Sequence, residues 1–319
     1  MRRDPRLRLL SVAPLLVLVL AALPAQANWV ATGTFRYEDR EQDLNGFTGV
    51  ISEKPIRFAD VEVFSTKKVI ARGKTDANGA FSVSVVDSTV RSVQVRALTR
   101  TESTNDLLLR VVIGNSTVYA VTSQKVPNHD PSVNVNFGTM VAEAGSGGEA
   151  FNILDQGIWG ADYVKALTGS RPNKLVTFRW AVAAGVTVSY TDWGTCYLRD
   201  TGGYDDGPIL HEWAHYVMSY YSRTSSAGGT HYLSDCDQDL WLAFDEGRAT
   251  SFGLAVRRHF GMPASNVYVR TDGASGPGHM VNAYDLETPS QYYCLGDTSE
   301  VSYSRSVWDI ADGPSTTDL

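Results

Sequence analysis

Histidine is scarce in this chain, six in 319 residues, yet two of them fall within His211-Glu212-Trp213-Ala214-His215. On an α-helix, residues four apart share one face, so both imidazoles can reach a single metal ion. Glu212 follows the first histidine and can aim its carboxylate at a water held by that metal. A bound metal acidifies such a water, and the carboxylate can take its proton. These are the parts of metal-assisted hydrolysis. The plainer reading makes His211 and His215 ordinary helix residues, one hydrogen-bonded and one solvated. Ile209, Leu210, Tyr216 and Val217 frame the pair with apolar side chains. Two unliganded imidazoles on such a face would be costly to satisfy, so metal ligation is the better reading.

A catalytic zinc usually has three protein ligands and one open position. The metzincin pattern would place a glycine at 218 and a histidine at 221, where this chain has Met218 and Tyr221. Glu246 is the better third ligand. The stretch 239–260 has the spacing of one helix, with Asp237 or Asp239 to cap it and Gly261 before Met262-Pro263 to end it. Leu242, Ala249, Thr250 and Gly253 share the face of Glu246. That face is small and mostly apolar, so a carboxylate on it needs a partner, which a metal would supply. Gly247 and Gly253 weaken a helix but let a second helix approach closely. Asp245, Asp239 and His231 stay open as alternative third ligands. The plain role for Glu246 is a salt bridge or a helix-dipole partner.

The first motif, followed by Trp241-Leu242 and Glu246-Gly247-Arg248-Ala249, resembles the gluzincin metallopeptidases over about residues 205–255. The resemblance implies a Zn²⁺ cofactor held by His211, His215 and Glu246, with Glu212 as general base. It also implies peptide or protein substrates. One feature departs from the family, in which the glutamate follows the second histidine by roughly twenty residues. Here the separation is 31 residues. The stretch 222–237 is rich in Ser, Gly and Asp, and a longer loop there absorbs the difference. A donor to the oxyanion is also required. His231, His279, Tyr292, Tyr293 and Tyr303 are candidates, His231 and Tyr303 foremost.

The elements that would carry this chemistry follow from periodicity. Segments 30–37, 56–65, 69–74, 80–86, 93–98, 111–113 and 133–137 alternate or are rich in β-branched residues, as strands are. Thr75-Asp76-Ala77-Asn78-Gly79 is a tight-turn signal between two of them. Short strands with frequent turns argue for an N-terminal all-β sandwich. Gly73-x-Thr75-Asp76-x-Asn78-Gly79-x-Phe81, preceded by Asp60-Val61-Glu62-Val63, is similar to transthyretin-like and carboxypeptidase-regulatory modules over about 28–141. The stretch 142–148 reads as a glycine-rich linker, so the two halves are expected to be separable. An α+β zincin-like catalytic domain would occupy 149–319. Its expected order is a helix over 149–167 stopped by Gly169, strands over 174–180, 186–190 and 195–198, a helix opened by Pro208, the 239–260 helix and a last helix over 300–311. Either 186–190 or 195–198 would pair with extended substrate by main-chain hydrogen bonds. The tail 313–319 suggests a shortened or compact C-terminal portion.

Residues 1–27 have the form of a secretory signal peptide. Arg2, Arg3, Arg6 and Arg8 precede an apolar run over 9–23, and Ala25-Gln26-Ala27 supplies a cleavage site. The mature chain is expected to be secreted or periplasmic, with no transmembrane segment. Cys196, Cys236 and Cys294 allow one disulfide in an oxidising compartment, and three pairings are open. The formal net charge of −7 gives no basic footprint for nucleic acid. The expected function is an exported zinc metallopeptidase. The rivals are a degenerate zincin-like surface adhesin and a zinc hydrolase of non-peptide amides or esters.

Overall fold

The computed structural model describes residues 28–102, 107–180, 188–223, 228–288 and 293–312. The proposed leader 1–27, Tyr292, the tail 313–319 and part of the expected strand 186–190 lie outside the described residues. The strands in chain order are β1 (Asn28–Asp43), β2 (Gly46–Pro55), β3 (Asp60–Ser65), β4 (Lys68–Lys74), β5 (Ala80–Val86), β6 (Arg91–Leu98), β7 (Leu109–Ile113) and β8 (Thr117–Val118). They continue with β9 (Ala120–Thr122), β10 (Val126–His129), β11 (Val135–Ala142), β12 (Val176–Arg179), β13 (Tyr190–Asp192), β14 (Thr195–Tyr197), β15 (Val267–Thr271) and β16 (Gly278–Asp285). Four helices accompany them: α1 (Gly148–Thr168), α2 (Asp206–Tyr221), α3 (Leu240–His259) and α4 (Glu300–Asp312). The fold is mostly β, with strands and helices mixed.

One sheet runs β11-β1-β2-β16-β15, with β5 also paired to β1. A second runs β10-β6-β3-β4, with β9 on β6, and a third runs β13-β14-β12-β7-β8. The β4–β5 turn forms as its sequence suggests. Asp76 Oδ1 accepts from the Asn78 and Ala80 amides at 2.8 and 3.0 Å. Gly79 has φ of +77°, and a Cβ there would sit 2.3 Å from the Phe35 carbonyl oxygen.

Two of the sheets draw strands from both halves of the chain. β16 pairs with β2 through Gly278 with Phe47 and His279 with Gly46. β7 lies parallel to β12, with Val111 opposite Phe178. The main core follows the same course, from Trp29, Phe35 and Val95 through Phe151 and Leu154 to Trp213 and Tyr216. The 142–148 stretch is tied down between β11 and α1. The Ala144 amide donates to Glu38 Oε2 at 2.9 Å, and the Gly145 amide donates to Glu149 Oε1 at 2.7 Å. Gly145 and Gly147 take positive φ of +82° and +114°. Glycine there serves a tight turn into α1, a use composition does not distinguish from slack.

All four helices stand where periodicity placed them, within a residue or two. Asp239 caps α3 by accepting from the Trp241 and Leu242 amides, and Gly169 closes α1 in the left-handed conformation. β2, β8, β9, β10, β15 and β16 were not among the expected strands. β2 leaves Val50 and Ile51 exposed, so it lacks a one-sided apolar pattern. Its second neighbour, β16, lies more than two hundred residues away in sequence. Cys236 and Cys294 form a disulfide with Cα atoms 5.2 Å apart, while Cys196 is free and buried. Among the described residues, no helix is long and apolar enough to cross a membrane.

Candidate metal centre

α2 and α3 pack face to face and bring the two motifs together. Gly253 on α3 permits this, since a Cβ there would lie 3.1 Å from the His211 amide nitrogen and from Leu210. On its other flank α2 sends Trp213, which is buried, against α1. A Cβ at Gly160 of α1 would come within 2.8 Å of the indole. Trp213 also stacks on Phe252 of α3, with ring centroids 6.0 Å apart. The middle residue of the motif therefore fixes the rotation of α2, and the two histidines turn toward α3.

The result is a compact cluster of donors. His211 Nε2 lies 3.0 Å from Glu246 Oε2, His215 Nε2 lies 3.1 Å from the same oxygen, and the two Nε2 atoms are 3.1 Å apart. A tetrahedral ion about 2.0–2.1 Å from each donor would hold such atoms about 3.3 Å apart, so these residues fit a metal. Their chemistry fits too. Two imidazole nitrogens and a carboxylate oxygen present converging lone pairs, which only protons or a cation can reconcile. Burial opposes the charge on His215, but Glu246 outweighs it and holds the imidazole above the usual histidine range. Burial likewise opposes ionisation of Glu246, yet His215, His211 and His231 hold that carboxyl well below its ordinary range. A metal bound here would compete with protons for the same donor atoms.

Supporting contacts set the orientation of each group. His211 Nδ1 is 2.9 Å from Thr250 Oγ1 on α3. Donation of that N–H to the hydroxyl leaves Nε2 free as a ligand. Thr250 lies beside Tyr284 of β16. Glu212 is buried and meets β13. Thr191 Oγ1, on the edge strand β13, lies 2.9 Å from Glu212 Oε2 and 2.8 Å from the Glu212 carbonyl oxygen. Burial pushes the Glu212 carboxyl up, and the two histidines pull against it.

The other sequence candidates separate cleanly. Asp245 pairs with Arg248 at 2.8 Å and Asp239 is occupied as the helix cap, so neither joins the cluster. His231 does reach it, with Nε2 at 3.3 Å from Glu246 Oε2 and 3.6 Å from Glu300 Oε2. Burial opposes its charge, but Glu246 and Glu300 together push the imidazole up to about 9. Tyr303 stacks edge-on against Phe244 across the α3–α4 contact. His279 pairs with Asp272 at 3.2 Å in the β15–β16 hairpin, and the Tyr293 hydroxyl donates to the Ala283 carbonyl. Sequence reasoning missed Thr191 and Glu300. Thr191 carries no local signal, and Glu300 reads only as the first residue of a helix. Thr250 was legible as a same-face neighbour of Glu246, though its hydrogen bond to His211 was not.

No family model matches the chain, and no curated protein matches it. Among solved structures, a 9R-lipoxygenase from Cyanothece PCC8801 is 14% identical, with the match covering 47% of this chain and 26% of that one at a TM-score of 0.22. The chain thus spans about a quarter of that protein's length. A likeness this slight carries no argument about fold or activity.

Proposed function

We propose that the chain is an exported zinc metallopeptidase of gluzincin type. The observation that supports this best is the triangle of His211 Nε2, His215 Nε2 and Glu246 Oε2, with sides of 3.0–3.1 Å. Two imidazoles and one carboxylate suit zinc. Bound zinc would polarise a substrate carbonyl and acidify water at its open position. The remaining chemistry belongs to the chain. Glu212 takes a proton from the attacking water and returns it to the leaving amine. Its buried setting raises the carboxyl above its ordinary range, which favours its taking up a proton. Thr191 holds that carboxylate in place from β13, and the same edge strand offers main-chain groups to an extended peptide. The N-terminal strands we read as a transthyretin-like sandwich module that buttresses this region. The Cys236–Cys294 disulfide supports an extracytoplasmic setting, as does the signal-peptide form of 1–27.

The test uses the tag-free mature chain, its zinc content and its hydrolysis of a denatured protein substrate. Glu212→Gln keeps the shape and removes the base. It should keep its zinc and lose at least about a hundredfold in turnover, the scale of general-base catalysis. Full activity in a chelator-stripped sample, or near-normal turnover in Glu212→Gln, would overturn the proposal.

A further inference from the structure

Behind the first cluster stands a second. His231 Nε2, Glu246 Oε2 and Glu300 Oε2 converge, with His231 at 3.3 and 3.6 Å from the two oxygens. Hydrogen bonding restricts what His231 can do. Its Nδ1 lies 3.0 Å from the Gly229 carbonyl oxygen, which can only accept, so Nδ1 carries a proton. In the neutral ring Nε2 is then a bare acceptor facing two carboxylate oxygens. Glu300 is 5% exposed, and among the described residues its Oε2 makes no hydrogen bond, only the ion pair with His231. The Gln238 side chain lies beside the Glu300 carboxyl group. The His231–Glu300 pairing needs a proton on Nε2, and a divalent cation held between the three groups would take its place.

The surroundings are built to keep these groups together. The Gln238 amide donates to the Thr298 carbonyl at 3.0 Å, and Thr298 Oγ1 donates to the Cys236 carbonyl at 2.7 Å. The Cys236–Cys294 disulfide joins the same two segments. Gly247 brings α4 onto α3, since a Cβ there would stand 2.6 Å from the Glu300 carbonyl oxygen. The loop with His231 and the start of α4 are thereby fixed on either side of Glu246.

We infer that His231, Glu246 and Glu300 form a second divalent-cation site, which shares the Glu246 carboxylate with the first. This rests on the first cluster being a metal centre. One imidazole and two carboxylates suit zinc or manganese rather than a thiolate-seeking ion. The paired ions would flank one carboxylate, as in two-metal hydrolases, where the second ion helps to orient substrate or stabilise the leaving group.

The test is a calorimetric titration of the tag-free, metal-free mature chain with Zn²⁺ alone, with circular dichroism as a check on folding. The parent should bind two equivalents. Glu300→Gln and His231→Ala should each bind one, as should His211→Ala through loss of the other site. Two variants are used so that misfolding of one leaves the other decisive. A parent count other than two overturns the inference, as does a count of two in either folded second-site variant. A parent count of one that falls to none in His211→Ala leaves the first centre standing. A parent count of none removes both.

Discussion

Replacing Thr250 with valine tests whether the first cluster is a tuned metal site. Thr250 Oγ1 sits 2.9 Å from His211 Nδ1 and is the acceptor that fixes which imidazole nitrogen faces the cluster. Valine keeps the shape and removes the acceptor. Thr250 is 4% exposed, so water cannot take its place at that nitrogen. Loss of such an outer partner typically weakens metal binding about 10- to 100-fold. That equals about 1.4–2.8 kcal/mol at about 1.4 kcal/mol per decade, and burial places the expected loss in the upper half. Competition against a chromogenic chelator reads the zinc Kd directly. Thr250→Ser restores the hydroxyl and should recover most of the affinity. The metal-free melting temperature serves as a control, since one lost buried hydrogen bond costs about 1 kcal/mol. A folded valine variant with the parent Kd, or a serine variant as weak as valine, would refute the reasoning.

Three further predictions concern the frame. Gly247→Ala should destabilise the protein even though alanine favours helix by about 1 kcal/mol. Its Cβ would meet Tyr303 Cβ, the Glu300 carbonyl and the Ser304 amide at 2.5–2.7 Å, and a rise in melting temperature would contradict this. Asp39 is 2% exposed, and burial, with Asp206 acting in the same direction, raises its carboxyl to about 7 despite Lys54. A carboxyl raised in the folded state stabilises fully below its unfolded value of about 3.9 and loses that contribution as pH rises through 7. Asp39→Asn should therefore gain stability relative to the parent between pH 4.5 and 7.5 in urea unfolding, and a constant difference would refute the assignment. Residues 28–141 expressed alone should not melt cooperatively, because β7 loses its partner β12 and the core loses α1. A sharp thermal transition in that fragment would show that the halves fold independently.

The local features of this protein were legible in its sequence. The helix spacing of His211 and His215, the face shared by Glu246, Thr250 and Gly253, and the stops at Gly169 and Gly261 all follow from periodicity and capping. These are short-range effects, set within a turn or two of chain. The β4–β5 turn is of the same kind, since Asp76 and Gly79 meet its hydrogen-bonding and backbone demands by themselves. Tertiary structure decided which distant groups meet. Two glycines showed that helices could approach, but only packing revealed that Gly253 admits α2 and Gly247 admits α4. The pairing of Cys236 with Cys294, the reach of Thr191 to Glu212 and the arrival of Glu300 beside His231 depend on contacts between remote segments. Composition likewise made 142–148 read as slack, whereas its glycines bend a hydrogen-bonded turn into α1. The periodic pattern of a sequence fixes the face a residue occupies on its own element; what that face meets depends on how the elements pack, and no local pattern carries that information.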